Sequence, residues 1–389
     1  MPLNIDFEAH NAEVQQVWEA FHAGNPIRVP MILGTFLRFT VLNPEANLKG
    51  ITFGDYFHDP DVIFEHQLRH EYWVRHNVPS DTPMGIPDIW TINVDLMNSY
   101  EQLWYGAELR FIDGNIPDTP PFLSDETKYS FIEKGPPEPF SGWMGRIFDY
   151  YEHCRQRAEG YEFHGRPVQV GAVSGAGADG AFTNACALRG PTELCLDMYT
   201  DPEFYHALMD LITTATINRI YAFRERMGQP RDSTVWGYTD DSIQLVSVDT
   251  YREFIMPYHK RLFDEFGAEG PNAIHLCGDA THLFKTLRDE FNVMSFDTGF
   301  PVDHGWLRDE LGPDVTINGG PHADLLLRAS PQQVRDETKR ILQSGIMRGG
   351  KFVLREGNNL APGTPLPNIQ AMYDACRQFG RYDGQPEEM

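Results

Sequence analysis

The chain has little positive charge, few cysteines and no long apolar run. Its 32 Lys and Arg stand against 56 Asp and Glu, a formal net charge of −24, and no basic run occurs anywhere. Nucleic acids and anionic membrane surfaces are held by clustered Lys and Arg that offset phosphate charge, so neither is an expected partner. Small substrates are not excluded, because a pocket can differ in sign from the whole molecule. The five cysteines (154, 186, 195, 277 and 376) are scattered and odd in number. They do not make a disulfide framework, and a reducing cytoplasm is the expected setting. The first residues lack a basic segment followed by an apolar one, so no signal peptide is expected. No stretch approaches the roughly 20 apolar residues of a membrane span. Internal repeats and linkers are missing too, which predicts one domain over residues 1–389.

What is present suits a large core: 41% of the chain is hydrophobic, 12% of it aromatic and 23% charged. The first part, 1–165, holds helical spacing at 9–23 and from Asp59-Pro60 to His76. It also holds two strand-like runs at 28–33 and 89–94, an extended excursion rich in Pro, Gly and Asp at 106–142, and a helix at 143–159. Over 166–389 the pattern becomes regular. Short β-branched runs at 167–173, 234–238, 272–277, 292–297, 314–318 and 351–355 alternate with helices. Those helices fall near 191–228, 249–266, 281–290, 304–311, 331–345 and 366–380. Strands apolar on both faces are what a sheet covered by helices requires. Eight of them, each followed by helical sequence, predict an α/β fold: a closed (β/α)8 TIM-type barrel with N-terminal helical and loop additions.

Polar residues cluster just past the predicted strand ends: Asp95, Asp240-Asp241, His275, Cys277, Asp297, Asn318-Gly319-Gly320 and Glu356-Gly357-Asn358-Asn359. Barrel enzymes build their chemistry on that rim. Asp, Asn and Gly also serve there as turn formers and helix caps, and for any one residue that role is equally good. His275 and Cys277 lie two apart on one strand, so both project to the same side while Ile274 and Leu276 face the other. An imidazole and a thiolate side by side form half of a zinc site. The bland alternative is a buried cysteine beside a satisfied core histidine, because H-x-C is short. Zinc would deprotonate a thiol whose ordinary pKa is near 8.5 and leave its sulfur nucleophilic. Without metal, Asp95 and Glu356 could act as an acid–base pair on a carboxylated substrate.

Weaker signals are read structurally. Asn318-Gly319-Gly320 would let backbone approach a bound cofactor, or would simply open a helix. G-A-G-A-D-G at 175–180 lacks the acidic partner of a dinucleotide fingerprint and is expected to line the pocket. Phe36, Phe39, Trp73, Trp90, Trp104, Tyr105 and Trp143 crowd the N-terminal part as core or as a pocket roof. Histidines 58, 66, 70, 76, 153, 164 and 206 fall in helical or loop sequence and are expected at the surface.

H-L-C-G at 275–278, D-V-T-I-N-G-G-P at 314–321 and G-N-N-L-A-P-G-T-P-L-P-N-I at 357–369 resemble the uroporphyrinogen decarboxylase superfamily. The match continues more weakly through R-V-P-M at 28–31, D-L-M at 95–97, L-R-G-P-T-E-L at 188–194 and D-P-E-F at 201–204. The resemblance implies a distorted (β/α)8 barrel, often dimeric, and one of two chemistries. True decarboxylases strip tetrapyrrole acetates without a cofactor, using arginines of an M-R-Q-A-G-R segment. Here that segment reads L-G-T-F-L-R-F, leaving Arg38. The family's aspartate is matched by Asp95, but Cys186 and Asn358 stand where its tyrosine and histidine would. The other branch moves methyl groups between corrinoid proteins and small thiols, or demethylates methoxylated compounds. His275 and Cys277 match its zinc ligands, while Asn358 stands at the third, a cysteine. Glu356, Asp240 or Asp241 would then complete the shell. The resemblance implies zinc-dependent methyl transfer with a corrinoid partner, with His275 and Cys277 on the metal and Asp95, Asp241, Glu356 and Asn358 doing the chemistry. The alternatives are a metal-free decarboxylase and a non-catalytic barrel that holds a corrinoid or tetrapyrrole.

Overall fold

Residues 5–231 and 235–382 are described by the computed structural model. Thr234, the first residue of one expected strand, lies outside them.

The strands in chain order are β1 (Trp90–Val94), β2 (Glu162–Phe163), β3 (Arg166–Val173), β4 (Gly237–Thr239), β5 (Asn272–Leu276), β6 (Val293–Thr298), β7 (Thr316–Gly319) and β8 (Phe352–Leu354). β4 to β8 form one parallel sheet in chain order, and β1 pairs with β3 in a second. β2 is only a short antiparallel return on β3. The central strands are buried, as in Ile274, Leu276, Phe296, Ile317 and all of β8, which is why they read as apolar runs rather than alternating ones.

The parallel α/β architecture is present, and the closure of the barrel is seen only in part. Among the described residues the ladder is a broken ring, two sheets joined by a single bridge from Asp179 to Thr239. The expected strand at 28–33 shrinks to one bridge, Met31 to Leu354. On that side Ile32 N–H donates to Leu354 O at 3.0 Å and Leu354 N–H to Pro30 O at 2.9 Å. On the other side Asp81 takes both backbone groups of Met31: its carboxylate accepts the Met31 N–H at 2.7 Å and its own N–H donates to Met31 O at 2.7 Å. Nothing is left there for a ladder to β1, and Pro30 has no N–H to offer. Arg28, buried, holds the Asp81 carboxylate through both terminal nitrogens, at 2.7 and 2.8 Å.

The helices follow the apolar periodicity closely: Phe7–His22, Pro60–Asn77, Gly142–Ala158, Thr281–Phe291, His304–Leu311 and Leu366–Phe379. One expectation is too long. The helix at 191–228 is two, Pro191–Thr200 and Pro202–Arg226. Asp201 leaves helical geometry between them and its side chain accepts from Phe204 N–H, the usual consequence of a proline at the first helical position. No helix is long and apolar enough to cross a membrane.

Register places the site. His275 pairs with Thr239 on one neighbour and Asp297 on the other, and Asp297 pairs with Asn318. Paired residues of parallel strands point the same way, so β4 to β7 present one polar layer at their C-terminal ends.

Candidate functional site

β5 ends as expected. Ile274 and Leu276 are buried behind the sheet, while His275 and Cys277 face a cavity of about 540 Å³. Gly278, with φ +69°, turns the chain away directly after Cys277. A Cβ there would meet the end of the Gln244 side chain at 1.7 Å, and the positive φ favours glycine.

His275 Nδ1–H donates to Asp297 Oδ2 at 2.6 Å. Asp297 is itself held by Arg355 Nη1 at 2.5 Å, and Arg355 Nη2 reaches Glu356 at 3.0 Å. A carboxylate only accepts, so this bond fixes the tautomer and leaves the Nε2 lone pair directed at Cys277 Sγ, 3.0 Å away. Sγ also lies 3.2 Å from Asn358 Oδ1. Asp241, in the turn after β4, accepts the Cys277 N–H at 2.6 Å. Its carboxylate, His275 and Cys277 place one ligand atom each within 4.8 Å of one another.

This donor set is short of protons. Nε2 and Asn358 Oδ1 both want the single thiol hydrogen, and a carboxylate stands beside them. One small cation satisfies all of them at once. With Zn–N near 2.0–2.1 Å and Zn–S near 2.3 Å, tetrahedral ligands sit roughly 3.5 Å apart, against 3.0 Å for His275 Nε2 to Cys277 Sγ and separations within 4.8 Å for the set. The Asp297 bond behind His275 is the outer-shell carboxylate that orients metal-bound imidazoles. The residues therefore fit a zinc-like ion held by His275, Cys277 and Asp241.

Electrostatics agree. Burial, then the Asp241 and Asp297 carboxylates, push the Cys277 thiol well above its usual range. Burial works against the His275 imidazolium, but Asp297 outweighs it and raises the ring above its ordinary value. Without a metal this site holds protons that a metal would displace.

The remaining candidates separate. Glu356 does not join the ligand cluster. It is fully buried. Its Oε1 accepts from Gly34 N–H at 2.9 Å and from Arg355, and its Oε2 has no partner. Burial pushes it up to about 7 in spite of Arg355. Asp95 lines an adjoining cavity of about 290 Å³ that shares Phe36 with the first. Burial raises its carboxyl, while the Met97 N–H, Ser174 and Arg38 pull the other way. Arg38 lines the main cavity, and the charges of Cys277, Asp95 and Glu356 act on it. Asp240 turns out structural: its carboxylate accepts from Thr183 N–H and hydroxyl at the start of helix Ala181–Arg189, and from His259.

The 318–320 stretch lies apart from the His275–Cys277 cavity. Asn318 Nδ2 donates to Phe296 O of β6, and Gly319 is small because Thr298 and His304 press on it. Gly320 alone lines a cavity, and it is a different one. The 175–180 loop does line the pocket, through Asp179. Burial and Glu101, followed by Asp241 and Asp240, hold that carboxyl well above its usual range. Of the aromatics, Phe36 reaches the main cavity, while Phe39, Trp90, Trp104 and Tyr105 are core. Two histidines expected at the surface, His66 and His70, are buried around the Thr40 hydroxyl.

The sequence marks Asp297 as a rim residue without a role, and Arg355 not at all. The role of Asp297 follows from aligning β6 with β5, where it pairs with His275. Arg355 had no such signal, since it follows an apolar strand and reads as its solvent-side end.

The family model described as uroporphyrinogen decarboxylase matches residues 15–379. A methylated-thiol–coenzyme M methyltransferase of Methanosarcina mazei is 31% identical over 209 residues, 52% of this chain and 53% of that protein. A uroporphyrinogen decarboxylase of Sorangium cellulosum is 26% identical over 194 residues, 49% of this chain and 53% of that one. The aligned part thus spans about half the length of these curated relatives. A solved methyltransferase from Methanosarcina mazei superposes with a TM-score of 0.62 at 16% identity, over 94% of this chain and 98% of that one. That likeness establishes the fold alone. Because the family model runs nearly end to end, through the strands that carry His275, Cys277 and Asn358, the chain belongs to the uroporphyrinogen decarboxylase family.

Proposed function

We propose that this chain is a zinc-dependent enzyme that transfers a methyl group between a corrinoid protein and a small thiol, or removes one from a methylated substrate. The carrying observation is the convergence of His275 Nε2, Cys277 Sγ and an Asp241 oxygen at the cavity wall, with Asp297 behind the imidazole. The similarity to a methylated-thiol–coenzyme M methyltransferase supports the same class.

His275, Cys277 and Asp241 would hold the ion, which when bound would supply a Lewis acid that keeps a substrate thiol ionised at neutral pH. The chain's own residues do the rest. Asp297 and Arg355 hold the imidazole in one tautomer, so that Nε2 stays a ligand. Asn358 takes the cysteine position of the family pattern. Its Oδ1 faces Sγ; with the amide turned over, its Nδ2–H would donate to a thiolate. The substrate thiol gives up its proton on binding, and its sulfur then bonds to the methyl carbon while the bond from that carbon to the methyl donor breaks, its electron pair staying with the donor. Glu356, buried and titrating near 7, and Asp179 are the carboxylates suited to hold a proton near neutrality. Metal analysis with Cys277→Ser and Asp241→Asn variants tests the assignment. Loss of metal in both supports it, whereas unchanged metal content overturns it.

One observation favours a second reading, metal-free decarboxylation of a carboxylated substrate. Asp95 is raised by burial and faces Arg38 at the edge of the same cavity system. In that case Asp95→Ala abolishes turnover and Cys277→Ser is nearly silent; the zinc reading requires Cys277→Ser to be inactive.

A further inference from the structure

A cavity of about 400 Å³ opens between helix Pro60–Asn77, the β2–β3 hairpin and the loop at 45–49. It shares no lining residue with the His275–Cys277 cavity. Its walls are mostly rings and alkyl groups: Tyr72, Trp73, Phe163 and His164, with Leu48, 86% exposed, at the edge. The hairpin turn carries His164 there. His164 and Gly165 both have positive φ, +47° and +72°, the backbone of a two-residue turn that matches the twist of its strands. The His164 ring stacks on Tyr72 at 4.4 Å, and His76 stacks on Tyr72 at 4.1 Å.

His66 also lines this cavity and is only 3% exposed. Its Nε2 lies 3.3 Å from Thr40 Oγ1, whose single proton has nearer acceptors in His70 Nδ1 at 2.9 Å and Leu37 O at 3.1 Å. The longer contact is therefore a bond that His66 Nε2–H donates, which leaves the lone pair on Nδ1. Nδ1 has no partner among the described residues, and it is not sealed from solvent. An enclosed acceptor of this kind gains from a ligand that brings a proton to it. Burial lowers the ring to about 3, so it stays neutral and accepting at neutral pH.

Arg69 follows at i+3 on the same helix face and lines the cavity too. Its Nη2 donates to Glu65 at 3.0 Å, while Nε and Nη1 keep protons without an acceptor among the described residues. Neither sign of charge is favoured: Lys49 and Arg69 stand against Glu45 in the lining, and both cations are paired to Glu65. The cavity thus offers one acceptor and one donor beside an apolar slot walled by rings. A hydroxyl gives one proton and takes one, and an aromatic ring suits the slot.

We propose that this cavity is a second ligand site, selective for a small neutral phenol. The phenolic O–H would donate to His66 Nδ1 and its oxygen accept from Arg69, with the ring against Trp73 and Phe163. The site is independent of any metal on Cys277.

Calorimetric titration of the full chain at neutral pH with phenol, and with anisole as the same ring whose oxygen can no longer donate, tests it. Phenol should bind saturably, and anisole about tenfold more weakly. Trp73→Leu should weaken phenol about tenfold by taking a ring from the wall, and Arg69→Gln about fivefold. Arg38→Gln, which alters the first cavity, should leave phenol binding unchanged. Circular dichroism checks that each variant is folded, and the comparison of phenol with anisole needs no variant. No saturable heat with phenol, equal binding of anisole, or phenol binding indifferent to both Trp73→Leu and Arg69→Gln would overturn the proposal. So would loss of phenol binding in Arg38→Gln, which would place the ligand in the first cavity.

Discussion

Two acceptors compete for one thiol proton at Cys277, and the imidazole beside it is held by a carboxylate on its far side. Asp297→Asn keeps the shape of that support but removes its charge. Outer-shell changes of this kind typically cost about 10–100-fold in metal affinity. We expect that loss in chelator competition, with the fold intact by circular dichroism; affinity equal to the parent would show that Asp297 does not orient the ligand. Because His275 titrates above its ordinary value and Cys277 holds its proton tightly, metal uptake must release protons. The sign is therefore set: affinity should fall as pH falls, and proton release should be seen on titration with zinc at neutral pH. The H-x-C pair was legible from the sequence because strand parity alone puts both side chains on one face. Choosing Asp241 over its neighbour Asp240 was not, since that depends on which of two adjacent carboxylates the helix after Gly180 claims.

At the scale of elements, small residues and buried histidines carry the consequences. Gly320, after β7, has no room for a side chain: a Cβ would lie 2.1 Å from Arg355 O and 2.9 Å from Leu354 Cδ1. Gly320→Ala should cost about 1–3 kcal/mol by overpacking and displace the strand that carries Arg355. A lower thermal midpoint checks this, and an unchanged midpoint would contradict it. In the N-terminal part, His66 and His70 flank the Thr40 hydroxyl, and burial lowers them to about 3 and about 4. The unfolded chain protonates these rings near pH 6.5 and the folded one does not. Their contribution is therefore whole above about pH 6.5 and is lost as pH falls toward 4, at up to about 1.4 kcal/mol per pH unit for each. Urea midpoints should drop between pH 7 and pH 5; a flat profile would contradict it. Helical spacing located Pro60–Asn77 well but not which of its histidines faced inward. Its aromatics and histidines are too evenly spread for the pattern to mark one buried face.

For the molecule as a whole, the order of strands along the parallel sheet was legible, because short buried runs alternating with helices allow few arrangements. The break in the ring was not. It depends on Asp81 capturing Met31, a pairing across fifty residues that leaves no periodic trace. Arg355 escaped notice for the same reason, since its partners lie on other strands. The site chemistry turns on one measurement: the zinc content of the full chain, purified without chelator, beside Cys277→Ser. We expect about one equivalent in the parent and a fall of roughly tenfold or more in the variant. A parent with almost none, or a variant that keeps the same amount, would contradict a metal held by His275, Cys277 and Asp241.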